Sequence, residues 1–187
     1  MEDISMMSQA QQQRPYTLSS EKPLAVVASN TNADGYKLAK QFAEHGYDLI
    51  VAAGNPSIVE EAFDFKEFGV DAVSFQLDLS TTEGVEQLYR RIIATGRPVE
   101  AMVINTGISE DLTNETVLAK KVLKDMADRG RGRILFAGSH NDEDARPACE
   151  ALQEEAQGTG VTVTALRSGH SEIYFLKKGY EEPILLH

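Results

Sequence analysis

From Pro23 onward the chain alternates short apolar runs with amphipathic stretches. Leu24-Ala25-Val26-Val27-Ala28 and Leu49-Ile50-Val51-Ala52-Ala53 are unbroken apolar runs. A run this short, with no polar residue at every second place, reads as a strand covered on both faces. Ala72–Leu77, Ala101–Ile104, Ile134–Ala137 and Val161–Leu166 bring the strands to six. Helical periods lie between them. Tyr36–His45 puts Leu38, Ala39, Phe42 and Ala43 on one face and stops at Gly46. Ile58–Phe68 does the same with Ile58, Val59, Ala62 and Phe65, and stops at Gly69. Apolar residues three and four apart form such a stripe, and a glycine just beyond it suits the left-handed C-terminal stop. Ser80-Thr81-Thr82-Glu83 has the capping-box pattern, with Ser80 as the expected cap of a helix bearing Val85, Leu88, Ile92 and Ile93 up to Gly96. Two more helices are expected: one over about Asn114–Arg129, closed by Gly130, and one with Pro147 in its first turn, running to about Gln157.

Strands and helices in strict alternation, with short links, predict an α/β fold. The expected architecture is a doubly wound, Rossmann-like parallel sheet of about six strands with helices on both faces. Ligands in such a sheet bind beyond the carboxyl ends of the strands, where strand order reverses. Residues 1–22 are polar and include Gln11-Gln12-Gln13, so they read as a flexible tail; residues 23–170 form the domain and 171–187 a C-terminal segment.

Charge narrows the partners. The 187 residues hold 18 Lys+Arg against 29 Asp+Glu, a formal net charge of -11, which weighs against nucleic acid or an anionic membrane surface. The apolar runs are too short to cross a bilayer, and the polar start has no secretory pattern. Cys149 is the only cysteine, which rules out an internal disulfide or a multi-cysteine zinc site and fits a reducing cytoplasm. His45, His140, His170 and His187 have no metal-ligand spacing.

The candidate chemistry clusters at the carboxyl ends of the strands. Ser29-Asn30-Thr31-Asn32-Ala33-Asp34-Gly35 joins the first strand to the first helix, and Asp78-Leu79 follows the third strand. Asn105-Thr106-Gly107 closes the fourth, Gly138-Ser139 the fifth and Ser168-Gly169 the sixth. Together with Gly130-Arg131-Gly132-Arg133-Ile134-Leu135 and the stretch Gly158–Leu166, these segments resemble the short-chain dehydrogenase/reductase family from about Pro23 to Gly169. The resemblance implies a crevice for NAD or NADP. In it Ser29, Thr31, Asn32 and Gly35 would line the phosphate turn, Asp78 and Leu79 the adenine pocket, and Asn105 and Gly107 the central strands, with Ser139 as the catalytic serine. It also implies a homodimer or pairing with a related subunit.

The departures point away from ordinary turnover. The family's first turn is T-G-x-x-x-G-x-G; its glycine positions here read Ser29, Ala33 and Gly35, and Asp34 is an acid in the first helical turn. Gly54-Asn55 stands where an acid or a base would read the adenosine ribose. No tyrosine occurs between Tyr89 and Tyr174, so the Tyr-x-x-x-Lys pair expected after Ser139 is absent there. Tyr36–Lys40 has that spacing but lies on the first helix, and Tyr174–Lys178 has it in the late segment. Ser139, His140 and Asp142 lie too close along the chain to converge as a triad. The expectation is a Rossmann-fold binding, regulatory or assembly protein without ordinary dehydrogenase activity. The alternative is an atypical NAD(P)-dependent oxidoreductase that uses Ser139 and a relocated proton donor.

Overall fold

The computed structural model describes residues 21–29, 32–55, 57, 62–107, 112–138 and 142–166. Six strands form one parallel sheet: β1 (Leu24–Ser29), β2 (Asp48–Ala53), β3 (Ala72–Gln76), β4 (Val99–Gly107), β5 (Gly132–Gly138) and β6 (Val161–Leu166). Four α-helices connect them: α1 (Asn32–Glu44), α2 (Thr82–Ala94), α3 (Thr113–Arg129) and α4 (Asp142–Ala156). A 3-10 helix over Ala62–Phe68 precedes β3.

Strand order is β3-β2-β1-β4-β5-β6, so the chain starts in the middle, builds outward to one edge and then returns to build the other. The reversal lies between β1 and β4. This is the doubly wound sheet expected from the alternation of elements. The unbroken apolar runs follow from burial on both sides. Leu24, Val26 and Ala28 of β1 pack under α2, α3 and α4, while Ala25 and Val27 pack under α1 and the 3-10 helix. β6 is the contrast: Val161 and Val163 are buried while Thr162 and Thr164 are exposed, the alternation of an edge strand with one covered face.

Three local expectations need correction. Thr81, not Ser80, caps α2: its side chain accepts from Gly84 N, whereas the Ser80 N–H and hydroxyl both donate to Asp78 Oδ1. Asp78 thus captures the serine, and the cap moves one residue on. Pro147 lies in the second turn of α4, because that helix starts at Asp142. The segment before Gly69 forms a 3-10 helix over Ala62–Phe68 rather than an α-helix. Seven residues give little return on the cost of nucleating an α-helix, and a tighter turn still buries Phe65. Ile58 and Val59 lie outside the described residues.

The amino edge of the sheet is held by a buried ion pair. Asp48, fully buried at the start of β2, meets Arg97 Nη1 at 2.8 Å and accepts from Asp71 N at 2.9 Å. Arg97 also donates to the Lys22 carbonyl, where the chain enters β1. Arg129 donates to the Val99 carbonyl at 2.6 Å, and Arg131 pairs with Glu100 at 2.9 Å. Both guanidiniums, which flank the turn before β5, are engaged by the protein itself.

Candidate functional site

Gln76, Ala53, Ser29, Asn105, Ala137 and Leu166 are register partners across all six strands and make a straight row near the carboxyl edge. Ser29 and Asn105 sit side by side at the reversal between β1 and β4, and both are buried. Two polar side chains are thus buried side by side at the switch point. The pairing of β4 with β5 shifts between Asn105 and Gly107, which brings Gly107 opposite Gly138.

Gly35 lies directly over Ser29. A Cβ at this glycine would stand 2.6 Å from Ser29 Oγ, so the glycine brings α1 against β1. Its missing side chain makes room for the serine. Asn32 opens α1. Asn30, Thr31 and Ser139, and the side chains of Asn32, Ala33 and Asp34, lie outside the described residues, as do Tyr174 and Lys178.

The turn after β3 is built around Asp78. Its carboxylate is exposed and accepts from Ser80 Oγ at 2.6 Å and Ser80 N at 3.0 Å. These two bonds, the side-chain one first, hold the Asp78 carboxyl below the usual range. Gly84 backs this turn so closely that a Cβ there would lie 1.9 Å from the Asp78 carbonyl. Leu79 is buried among Val85 and Leu88, so it can offer a ligand only its backbone. A tie that sequence reasoning missed runs to the next helix: Asn114 donates to the Ser80 carbonyl and accepts from Thr82 Oγ1 at 3.1 Å. Nothing in the spacing of these residues foretold it, since Ser80 and Asn114 meet only because their two helices start side by side.

Beyond β2, Asn55 Oδ1 accepts from Ser57 N at 3.0 Å and Ser57 Oγ at 3.2 Å. Gln76 Nε2 reaches the Gly54 carbonyl at 3.5 Å. Glu115 is a buried carboxylate in the first turn of α3, on the same stripe as Leu118, Ala119 and Val122. Sequence reasoning did not single it out; the positive end of the helix favours an acid there. Cys149 is buried in α4, where burial raises its thiol to about 11, so it packs as a small apolar residue.

Of the residues that would hold a dinucleotide, the structure describes Asp78 with its exposed carboxylate and Asn55 with its amide on the adenosine side, and the contact of Gly35 on Ser29 at the first turn. No group of three or more His, Cys, Asp and Glu gathers to hold a metal among the described residues. Two open grooves of about 490 and 380 Å³ lie at the amino edge, both lined by Arg97 and Pro98. Because Arg97 is committed to Asp48, the chemistry points to the carboxyl edge instead.

Comparison with known proteins agrees on the frame. The sequence pattern described as short chain dehydrogenase matches residues 24–120, more than half of the chain. A Streptomyces coelicolor protein with the provisional name ketoacyl reductase is 25% identical; the match spans 81% of this chain and 72% of that protein. The uncharacterised oxidoreductase YmfI of Bacillus subtilis is 26% identical over 72% of this chain and 62% of its own length, so under two thirds of it is spanned. Among solved structures, a metagenomic short-chain oxidoreductase in complex with NADP superposes with a TM-score of 0.69 at 18% identity, covering 79% of this chain and 82% of the other. A variant of actinorhodin polyketide ketoreductase with NADPH gives 0.67 at 23% identity, covering 79% and 70%. At these identities the structures attest the fold.

Proposed function

The chain belongs to the short-chain dehydrogenase family, and from that premise we propose that it binds a nicotinamide dinucleotide by its adenosine end without ordinary dehydrogenase turnover, as a binding, regulatory or assembly protein. One observation carries this reading: α4, the helix between β5 and β6, holds neither tyrosine nor lysine. In the resemblance, that helix supplies the Tyr-x-x-x-Lys pair, in which a phenol with a lowered pKa donates the proton to the carbonyl. A positioned general acid contributes roughly a hundred- to ten-thousand-fold in rate. The lost glycines of the first turn support the same reading from the phosphate side. Self-association through helices of this domain, and residence in the cytoplasm, go with it. No helix among the described residues is long and apolar enough to cross a membrane.

A second reading is favoured by the names of the two relatives, both reductases or oxidoreductases. Here Ser139 would orient a carbonyl and Tyr174, four residues before Lys178, would donate the proton from the late segment.

Titration calorimetry with NADH and NADPH, alongside NAD(P)H consumption with β-ketoacyl and simple ketone substrates, separates the two. Saturable binding without consumption is the expected result. Carbonyl-dependent consumption that is lost in Tyr174→Phe would establish the second reading, and absence of any binding would overturn both.

A further inference from the structure

Helices α2 and α3 begin side by side at the carboxyl edge, and one side chain joins their starts. Asn114, the second residue of α3, reaches across 34 positions to the Ser80 carbonyl at 2.5 Å and across 32 to Thr82 Oγ1 at 3.1 Å. Resting on the reading that the chain takes the adenosine end of a dinucleotide, we infer that Asn114 is a positioning residue of that site. By gripping the Ser80–Thr81 peptide it holds the Asp78 carboxylate in place as the acceptor for an N–H donor on the ligand.

Both halves of the Asn114 amide are used, in opposite senses. A carbonyl can only accept, so the atom that meets Ser80 O is Nδ2, and Oδ1 is then the acceptor for the Thr82 hydroxyl. Thr81, the cap of α2, lies between these two points of attachment. A single planar group thus spans the cap, and rotating it would break both bonds at once.

What the amide grips is the frame of Asp78. The Ser80 N–H and hydroxyl donate to Asp78 Oδ1 at 3.0 and 2.6 Å, and the Thr81 hydroxyl donates to the Asp78 carbonyl at 2.8 Å. Asp78 is therefore held at its carboxylate and at its main chain by two consecutive residues, and Asn114 fixes the peptide that joins them. The Asp78 side chain itself is exposed. Fixing an exposed carboxylate before a ligand arrives removes the cost of ordering it from the binding step. The two helices are already joined along their length, since Val85, Leu88, Leu118 and Val122 share one buried cluster and Lys121 pairs with Glu86 at 2.9 Å. The Asn114 tie acts only at their starts, beside Asp78.

The test is calorimetry with ADP-ribose and carbon-13 NMR titration of the Asp78 carboxyl, both on the full chain. The variants are Asn114→Ala, Thr82→Val, Asp78→Ala and the double variant Asp78→Ala with Asn114→Ala. Asn114→Ala should weaken ADP-ribose about threefold to tenfold, the worth of one ordinary hydrogen bond, and its Asp78 carboxyl should titrate at higher pH than in the wild type. Thr82→Val leaves the bond to Ser80 and should change the affinity less than about twofold. In the Asp78→Ala background, Asn114→Ala should add less than about twofold, because its route to the ligand is gone. If Asp78→Ala binds too weakly to measure, the Asp78 titration in Asn114→Ala decides. An unmoved titration, an undiminished effect of Asn114→Ala without Asp78, or a Thr82→Val loss equal to that of Asn114→Ala would overturn the inference while leaving the adenosine-binding function intact. Failure of the wild type to bind ADP-ribose would overturn that function and the ligand-facing role of Asn114 with it.

Discussion

Single atoms decide most at the carboxyl edge. Gly35 is fixed by sterics, because a methyl group there would press on Ser29 Oγ at 2.6 Å and Ser29 Cβ at 2.7 Å. Gly35→Ala should therefore cost about 1–3 kcal/mol, the usual range for overpacking, and Ser29→Gly in the same chain should recover part of it. Urea denaturation of the two variants measures this; an unchanged midpoint for Gly35→Ala would show that α1 yields freely. Asp78 is a pH marker. Its pKa is lower in the folded chain than the unfolded value of about 3.9. Its contribution to stability is thus present above that value and is lost as pH falls through the folded-state value. Ser80→Ala removes the side-chain bond that leads the shift, so the Asp78 carboxyl should titrate at higher pH in a carbon-13 NMR experiment. The glycine's packing role was legible from its place one turn into the first helix. The serine's attachment to Asp78 was not, because capping patterns do not say which of two neighbouring hydroxyls a nearby carboxylate will claim.

Elements are tied together by contacts between chain-distant residues. The Asp48–Arg97 pair joins the start of β2 to the segment before β4 and, through the Lys22 carbonyl, to the entry into β1. Asp48→Ala would leave a guanidinium with an 11% exposed side chain facing no carboxylate, and the Asp71 N–H without its acceptor. Loss of one partner from such a pair costs about 3–5 kcal/mol. Asp48→Ala should fall in that range by denaturant unfolding, and Arg97→Met, which leaves Asp48 as the stranded charge, should match it. A loss under about 1 kcal/mol in both would mean the pair is solvated in solution. The loops ahead of β5 and β6 meet just as tightly: a Cβ on Gly160 would stand 2.0 Å from the Gly130 carbonyl, at a φ of +81°. The motifs around these glycines were visible as words in the sequence. Their shared purpose, letting two loops cross backbone to backbone, needed the sheet order.

For the whole molecule, two apolar layers on one sheet imply cooperative unfolding. Cys149 reports it. With the residue 3% exposed and the thiol at about 11, maleimide labelling at neutral pH should follow opening of the core, about a thousandfold slower in buffer than in denaturant. Labelling at the denatured rate would place α4 away from the sheet. The fold itself was readable because buried parallel strands and amphipathic helices each leave a periodic mark on the chain, and the mark does not depend on what lies opposite. So were the departures in the first turn and the absence of tyrosine between Tyr89 and Tyr174, since they are matters of residue identity at a given place. Only the tertiary structure could decide which hydroxyl Asp78 takes, that Asp48 and Arg97 meet, and that Asn55 Oδ1 turns back to Ser57. Those outcomes depend on angles and distances between segments far apart in the chain, which hydrophobic periodicity does not encode.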